Sequence, residues 1–142
     1  MSVVAFKPPY RIYVVEDSTI VQRLLLEMLG GIPGAFIVGH SGRAEEAIAE
    51  IVEKRPDAII VDLMLQSGSG FDVLEAIARQ SAVSPVVVVL TNFTMPEYRD
   101  RAAGLGAAHF FDKSTEILEM VRVMARLVEG HQRRSNSNTN HA

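Results

Sequence analysis

The chain contains no cysteine. Disulfides, thiolate chemistry and cysteine-based zinc sites are therefore excluded. That absence fits a reducing compartment, and the chain is expected to be cytoplasmic. Long apolar runs are also missing. The leader from Met1 to Pro9 holds only a short apolar patch before Lys7 and the Pro8-Pro9 pair, too little for a signal peptide, and no later run approaches a membrane span. An excess of one charge sign is missing as well, with 14 Lys and Arg against 17 Asp and Glu. A net charge of -3 gives no broad attraction to nucleic acid or to an anionic membrane, so neither is expected as a partner. The four histidines show no ligand spacing, and His40 and His109 read as structural or partly exposed. There is no internal repeat and no sign of a second domain.

What is present describes one ordinary globular domain: 142 residues, 48% hydrophobic and 22% charged. Residues 1–9 read as a flexible leader, 10–130 as the folded domain and 131–142 as a disordered polar tail. Apolar β-branched stretches alternate with amphipathic ones. Ile12-Tyr13-Val14-Val15 is a strand, followed by a helix whose stripe is Val21, Leu24, Leu25 and Met28. Phe36 to Gly39 is a shorter strand suited to a sheet edge. The second helix carries Ala44, Ala47, Ile48, Ile51 and Val52 inward. Ala58-Ile59-Ile60-Val61 is apolar without a break, as befits a strand buried on both faces of a parallel sheet.

Ser67-Gly68-Ser69-Gly70 forms a loop, then Phe71 to Arg79 a helix with Val73, Leu74, Ile77 and Ala78 inward. Val86 to Leu90 is the most strand-like stretch of all. A short polar helix, Glu97 to Ala103, opens behind Pro96 and is expected to be the least firmly packed. His109 to Asp112 is a fifth strand, and a last helix runs from about Thr115 to Glu129, ended by Gly130. Five strands alternating with five helices make an α/β fold, a doubly wound parallel sheet with right-handed crossovers. Alternation alone does not set the strand order.

Open α/β sheets place their chemistry at the carboxyl ends of the strands. Those ends here hold Glu16-Asp17, Asp62, Thr91 and Lys113. Three clustered carboxylates repel one another unless a cation intervenes, so the set predicts a hard divalent metal, and magnesium best suits a few oxygen ligands with positions left for water and phosphate. Lys113 and the Thr91 hydroxyl could hold other oxygens of the same phosphoryl group. Asp62, on the innermost strand, would be the nucleophile that forms an aspartyl phosphate.

These residues in this order, Glu16-Asp17, then Asp62, then Thr91 with Asn92, then Phe110 and Lys113, resemble the motif of two-component response-regulator receiver domains, over roughly residues 10–130. The likeness is to the single-domain, chemotaxis-receiver type. It implies a flavodoxin-like (βα)5 fold with strand order 2-1-3-4-5. It implies that Asp62 is the phosphoacceptor, that Asp17 ligates magnesium directly with Glu16 acting through water, and that Asp62 and the backbone carbonyl of Met64 complete the protein ligands. Thr91 and Lys113 would contact the phosphoryl group, with Thr91 and Phe110 acting as switch residues. The partners it implies are a sensor histidine kinase or phosphotransfer protein and a downstream protein target, with homodimerisation through the last helices left open. Three positions depart from the common pattern: Gln66 and Ser114 stand where proline is usual, and Glu16 where aspartate is commoner. Met64 and Phe93 flank the path of a hydrolytic water and predict slowed loss of phosphate.

Two other α/β readings fail on residues. A dinucleotide or P-loop protein needs glycines after its first strand, and Val15 to Thr19 offers none. Phosphatases resembling the haloacid-dehalogenase type carry a second acid two residues after the nucleophile, where this chain has Met64. The expected role is thus a stand-alone phosphoacceptor in a phosphorelay, not an enzyme beyond transfer to and from its own Asp62. The competing class is an adaptor of the same fold that is never phosphorylated. Its mark would be a missing acid or lysine, and none is missing.

Overall fold

The structure, a computed structural model, describes residues 7–139, with side chains to residue 134. Five strands and five helices alternate strictly: β1 (Tyr10–Val15), α1 (Thr19–Gly30), β2 (Ala35–Ser41), α2 (Ala44–Lys54), β3 (Ala58–Val61), α3 (Gly70–Ala78), β4 (Val86–Thr91), α4 (Pro96–Gly104), β5 (Ala107–Asp112) and α5 (Ile117–Thr139). All strand pairs are parallel, and the order is β2-β1-β3-β4-β5. This is the flavodoxin-like order expected from the resemblance.

The sheet divides the interior into two cores. Tyr13, Val15, Ile59, Val61, Val87 and Val89 face α2, α3 and α4. Ile12, Val14, Ala58, Ile60, Val88 and Leu90 face α1 and α5. Both faces being covered explains why β3 reads as uninterrupted apolar sequence. β3 is buried along its whole length. Fully burying a single Ile or Val contributes roughly 1.5–3 kcal/mol, so this central strand is the firmest footing the fold offers for a functional group.

Three local expectations are corrected. In α1 the buried positions are Leu25 and Leu29, while Leu24 is 42% exposed and Ile20 82% exposed. The inward face is set by packing: Leu25 and Leu29 lie in the core between the sheet and α5, with Val21 and Leu26 against it; Ser18 caps the helix, its hydroxyl accepting the Val21 N–H at 3.4 Å. Secondly, Gly130 does not end the last helix, which continues to Thr139. The glycine costs about 1 kcal/mol against alanine. Beyond it, His131 packs edge-on against Tyr10 at 5.3 Å, and the Gln132 side chain donates to the Pro8 carbonyl at 3.3 Å. Those contacts stand where a disordered tail from residue 131 was expected. Residues 140–142 of that tail and 1–6 of the leader lie outside the described residues. Thirdly, Ala78 faces solvent rather than the core.

α4 is loosely built, as its composition predicts. Only Ala102 among its residues is buried, and its cap, Met95, supplies no side-chain bond. Two arginines tie it down instead. Arg101 pairs with Glu75 on α3 at 2.9 Å and lies over the Phe71 ring, while Arg99 lies 4.4 Å from the centre of the Phe110 ring on β5. Among the described residues no helix is long and apolar enough to cross a membrane.

Candidate functional site

The strand ladders run on into the site. The Glu16 N–H donates to the Ser41 carbonyl at 2.9 Å, the Asp62 N–H to Val15 at 3.0 Å and the Lys113 N–H to Thr91 at 2.9 Å. Each bond extends a pairing one residue beyond its strand, so these side chains inherit the rigidity of the sheet at its carboxyl edge. Glu16, Asp62 and Thr91 are all buried, whereas Asp17 is exposed.

Lys113 closes the group. Its ammonium donates to Asp62 Oδ2 at 2.6 Å and forms an ion pair with Glu16 Oε1 at 2.6 Å. Burial pulls the Lys113 pKa down, but the bond to Asp62 and the charges of Asp62 and Glu16 outweigh it, and the net shift is upward. Burial pushes the Glu16 carboxyl up, and Lys113 and the Ser18 N–H offset that push only in part.

Carboxylate oxygens of Glu16, Asp17 and Asp62 lie within 4.8 Å of one another. Glu16 Oε2 accepts the Ser18 N–H at 3.1 Å, while the buried Oε1 lies 2.6 Å from the Lys113 ammonium. Three acids with only one ammonium between them fit a hard divalent cation held by oxygen ligands.

The remaining expected residues fall around this centre. Met64 is exposed, and its N–H donates to Asp62 Oδ1 at 3.3 Å. Thr91 ends β4, between the strands that carry Asp62 and Lys113, and its hydroxyl accepts the Phe93 N–H at 3.2 Å. Phe110 is half-buried on β5 beneath Arg99. Met64 and Phe93 stand together, lining one cavity of about 320 Å³ with Leu63, Phe71 and Tyr98. His40 is exposed, and His109 stacks on Phe111 at 6.1 Å.

Sequence reasoning did not single out Gly70. A Cβ there would fall on the carbonyl oxygen of Asp62 and come within 2.7 Å of the Leu63 Cα, so only glycine lets α3 begin against the Asp62 strand end. The signal was the last glycine of the Ser-Gly-Ser-Gly run. Ser69 caps α3 reciprocally with Asp72, a capping box that fixes the loop leaving Asp62.

A family model described as the response regulator receiver domain matches residues 12–125. The chain is 32% identical over 124 residues to the transcriptional regulatory protein YvfU of Bacillus subtilis, an alignment covering 84% of this chain and 60% of that protein. It is 30% identical to protein-glutamate methylesterase/protein-glutamine glutaminase 3 of Geobacter sulfurreducens, over 84% of this chain and 33% of that one. The chain thus spans less than two thirds of either relative. In fold it is similar to the response regulator domain of Thermotoga maritima CheB, with a TM-score of 0.71, 24% identity and coverage of 90% and 97% of the two chains.

Proposed function

The chain belongs to the response regulator receiver family, and from that premise we propose that Asp62 accepts a phosphoryl group from a histidine kinase or phosphotransfer protein and thereby switches the binding of a protein partner. The observation that carries this reading is the Lys113–Asp62 contact at 2.6 Å beside two further carboxylates. A carboxylate held this way is oriented and partly neutralised before any phosphorus arrives.

In the transfer, an Asp62 carboxylate oxygen forms the new P–O bond as the P–N bond of the phosphohistidine breaks, and the imidazole leaves with the electron pair. Lys113 passes from the Asp62 oxygen to a phosphoryl oxygen, and the Thr91 hydroxyl exchanges the Phe93 N–H for another. Glu16, Asp17, Asp62 and the Met64 carbonyl would hold magnesium, which when bound supplies positive charge to offset the carboxylates and phosphoryl oxygens. Movement of Thr91 and inward rotation of Phe110 bias the equilibrium that a partner reads. The phosphoryl group can do this only through its differential contacts, here with Thr91 and Lys113.

On this reading the receiver is cytoplasmic, catalyses nothing beyond gain and loss of phosphate at its own Asp62, and binds neither nucleic acid nor membrane. The net charge of -3 supports the last part.

Incubation with acetyl phosphate and magnesium, followed by intact mass, tests the central claim. One added phosphoryl group on the wild type and none on Asp62→Ala is the expected result. No addition to either would favour the phosphorylation-independent adaptor.

A further inference from the structure

We propose that the cavity between α3 and α4 binds a small aromatic acid, a molecule of one or two fused rings bearing a carboxylate, and that its occupancy opposes phosphorylation of Asp62. The site stands on the cavity itself. Its coupling to Asp62 rests on the reading of that residue as the phosphoacceptor.

The walls are aromatic and joined. Phe71 on α3 and Tyr98 on α4 lie 6.1 Å apart between ring centres, and Phe93 in the loop before α4 meets Tyr98 edge-on at 6.3 Å. Met64, from the loop after β3, lines the same cavity of about 320 Å³. Phe93 is nonetheless 38% exposed and Met64 54%. Large apolar side chains left side by side in water mark a surface that binds something. Ligand pockets begin at about 300 Å³, so this one suits one or two rings and nothing larger.

A single charge stands among these walls. Arg101 lines the cavity, its guanidinium 4.1 Å from the centre of the Phe71 ring and 2.9 Å from Glu75 on α3. A guanidinium carries five N–H donors, and Glu75 takes one of them, from Nη2. Glu75 thus orients the group without exhausting it, and the half-exposed side chain keeps donors for a ligand carboxylate. A ring acid satisfies both features at once. A cation would be repelled, and a wholly apolar molecule would strip water from the guanidinium without replacing its bonds.

The coupling runs through two main-chain bonds. The Phe93 N–H donates to Thr91 Oγ1 at 3.2 Å, and the Met64 N–H donates to Asp62 Oδ1 at 3.3 Å. Both wall residues are therefore tied to groups that a phosphoryl group engages. When the Thr91 hydroxyl turns to a phosphoryl oxygen, the Phe93 N–H is released and that wall loses its anchor. A ligand that fits the anchored wall prefers the unphosphorylated protein. By linkage, phosphorylation weakens the ligand by the same factor.

Titration calorimetry with 2-naphthoate and its neutral counterpart 2-naphthalenemethanol tests the site. The acid is expected to bind the wild type at one site, and the alcohol at least about tenfold more weakly. Arg101→Met should bring the acid down to the level of the alcohol. Nuclear Overhauser contacts from the naphthalene protons to the Met64 methyl group locate the ligand in the wild type, independently of any variant. No binding of the acid, equal binding of acid and alcohol, or contacts that miss Met64 would each overturn the proposal. Beryllofluoride with magnesium, a mimic of the phosphoryl group on a carboxylate, tests the coupling. It should weaken naphthoate at least about fivefold in the wild type and leave Asp62→Ala unchanged. Unchanged affinity in wild-type protein that acetyl phosphate labels at Asp62 would sink the coupling. Failure of that labelling would instead remove the phosphoacceptor reading and the coupling with it, while the site still stands or falls by the titration.

Discussion

Lys113 Nζ donates to Asp62 Oδ2 at 2.6 Å across 51 residues of chain, joining the ends of β5 and β3, two strands that are not neighbours in the sheet. The side chain reaches over the end of β4, where the buried hydroxyl of Thr91 sits. A phosphoryl group on Asp62 would therefore meet three consecutive strand ends at once.

Asp17 is the exposed acid of the three and adds nothing to either core. Asp17→Ala should leave thermal stability within about 0.5 kcal/mol, as surface substitutions do. Its magnesium affinity should fall at least about tenfold, the loss that even indirect metal partners cause. Calorimetric titration beside a thermal melt measures both, and unchanged affinity would remove Asp17 from the metal site.

Gly70 has no room for a methyl group because the Asp62 carbonyl oxygen and the Leu63 backbone occupy its place. Overpacking against movable side chains costs about 1–3 kcal/mol, and here the obstacle is main chain, so Gly70→Ala should cost about 3 kcal/mol or more. Since relief must shift the Asp62 peptide, labelling by acetyl phosphate should slow as well. Urea unfolding and a labelling time course check the two halves separately.

Met64 and Phe93 line one cavity beside Asp62, and Met64 is 54% exposed. If they shield the aspartyl phosphate from water, Met64→Ala and Phe93→Ala should each shorten its half-life severalfold. Loss of label after removal of the phosphodonor gives the rate. A lengthened half-life in either variant would contradict the shielding role.

Tyr10 supplies a pH signature unrelated to the site. Burial, and then the charge of Asp57, push its phenol up to about 12. The unfolded chain gives up this proton near 10 while the folded chain keeps it, so the folded state binds more protons between the two values. Stability therefore falls as pH rises through that window, by an amount of order 2 kcal/mol from this group. Lys113 and Tyr13, whose pKa values are also raised, act with the same sign. Tyr10→Phe should change stability little at neutral pH and flatten part of the alkaline decline in denaturant midpoint. A decline as steep as in the wild type would rule the assignment out.

Much of this was legible before any coordinates. Strands announce themselves by β-branched apolar runs, and the residue ending each run is named by the run itself. Glu16, Asp17, Asp62, Thr91 and Lys113 were readable because the chemistry of a parallel sheet collects at one edge. What failed were features decided by neighbours outside the local window. Leu24 and Leu25 are both apolar, and which one turns inward depends on how α1 lies against the sheet and α5. Gly130 carries a stop signal that Tyr10 and Pro8, far away in the chain, override through His131 and Gln132.

By itself the sequence determined the fold class and which residues stand at the strand ends, because both follow from periodicity and from the chain's own order. Tertiary structure decided which of those residues touch. The Lys113 ammonium holds Asp62 and Glu16 together, at 2.6 Å from an oxygen of each. Gly70 is obligatory only because α3 starts against the Asp62 carbonyl. Contacts of this kind depend on distances of a few ångströms between groups dozens of residues apart. Spacing along a chain cannot specify them until the sheet has set the strands side by side.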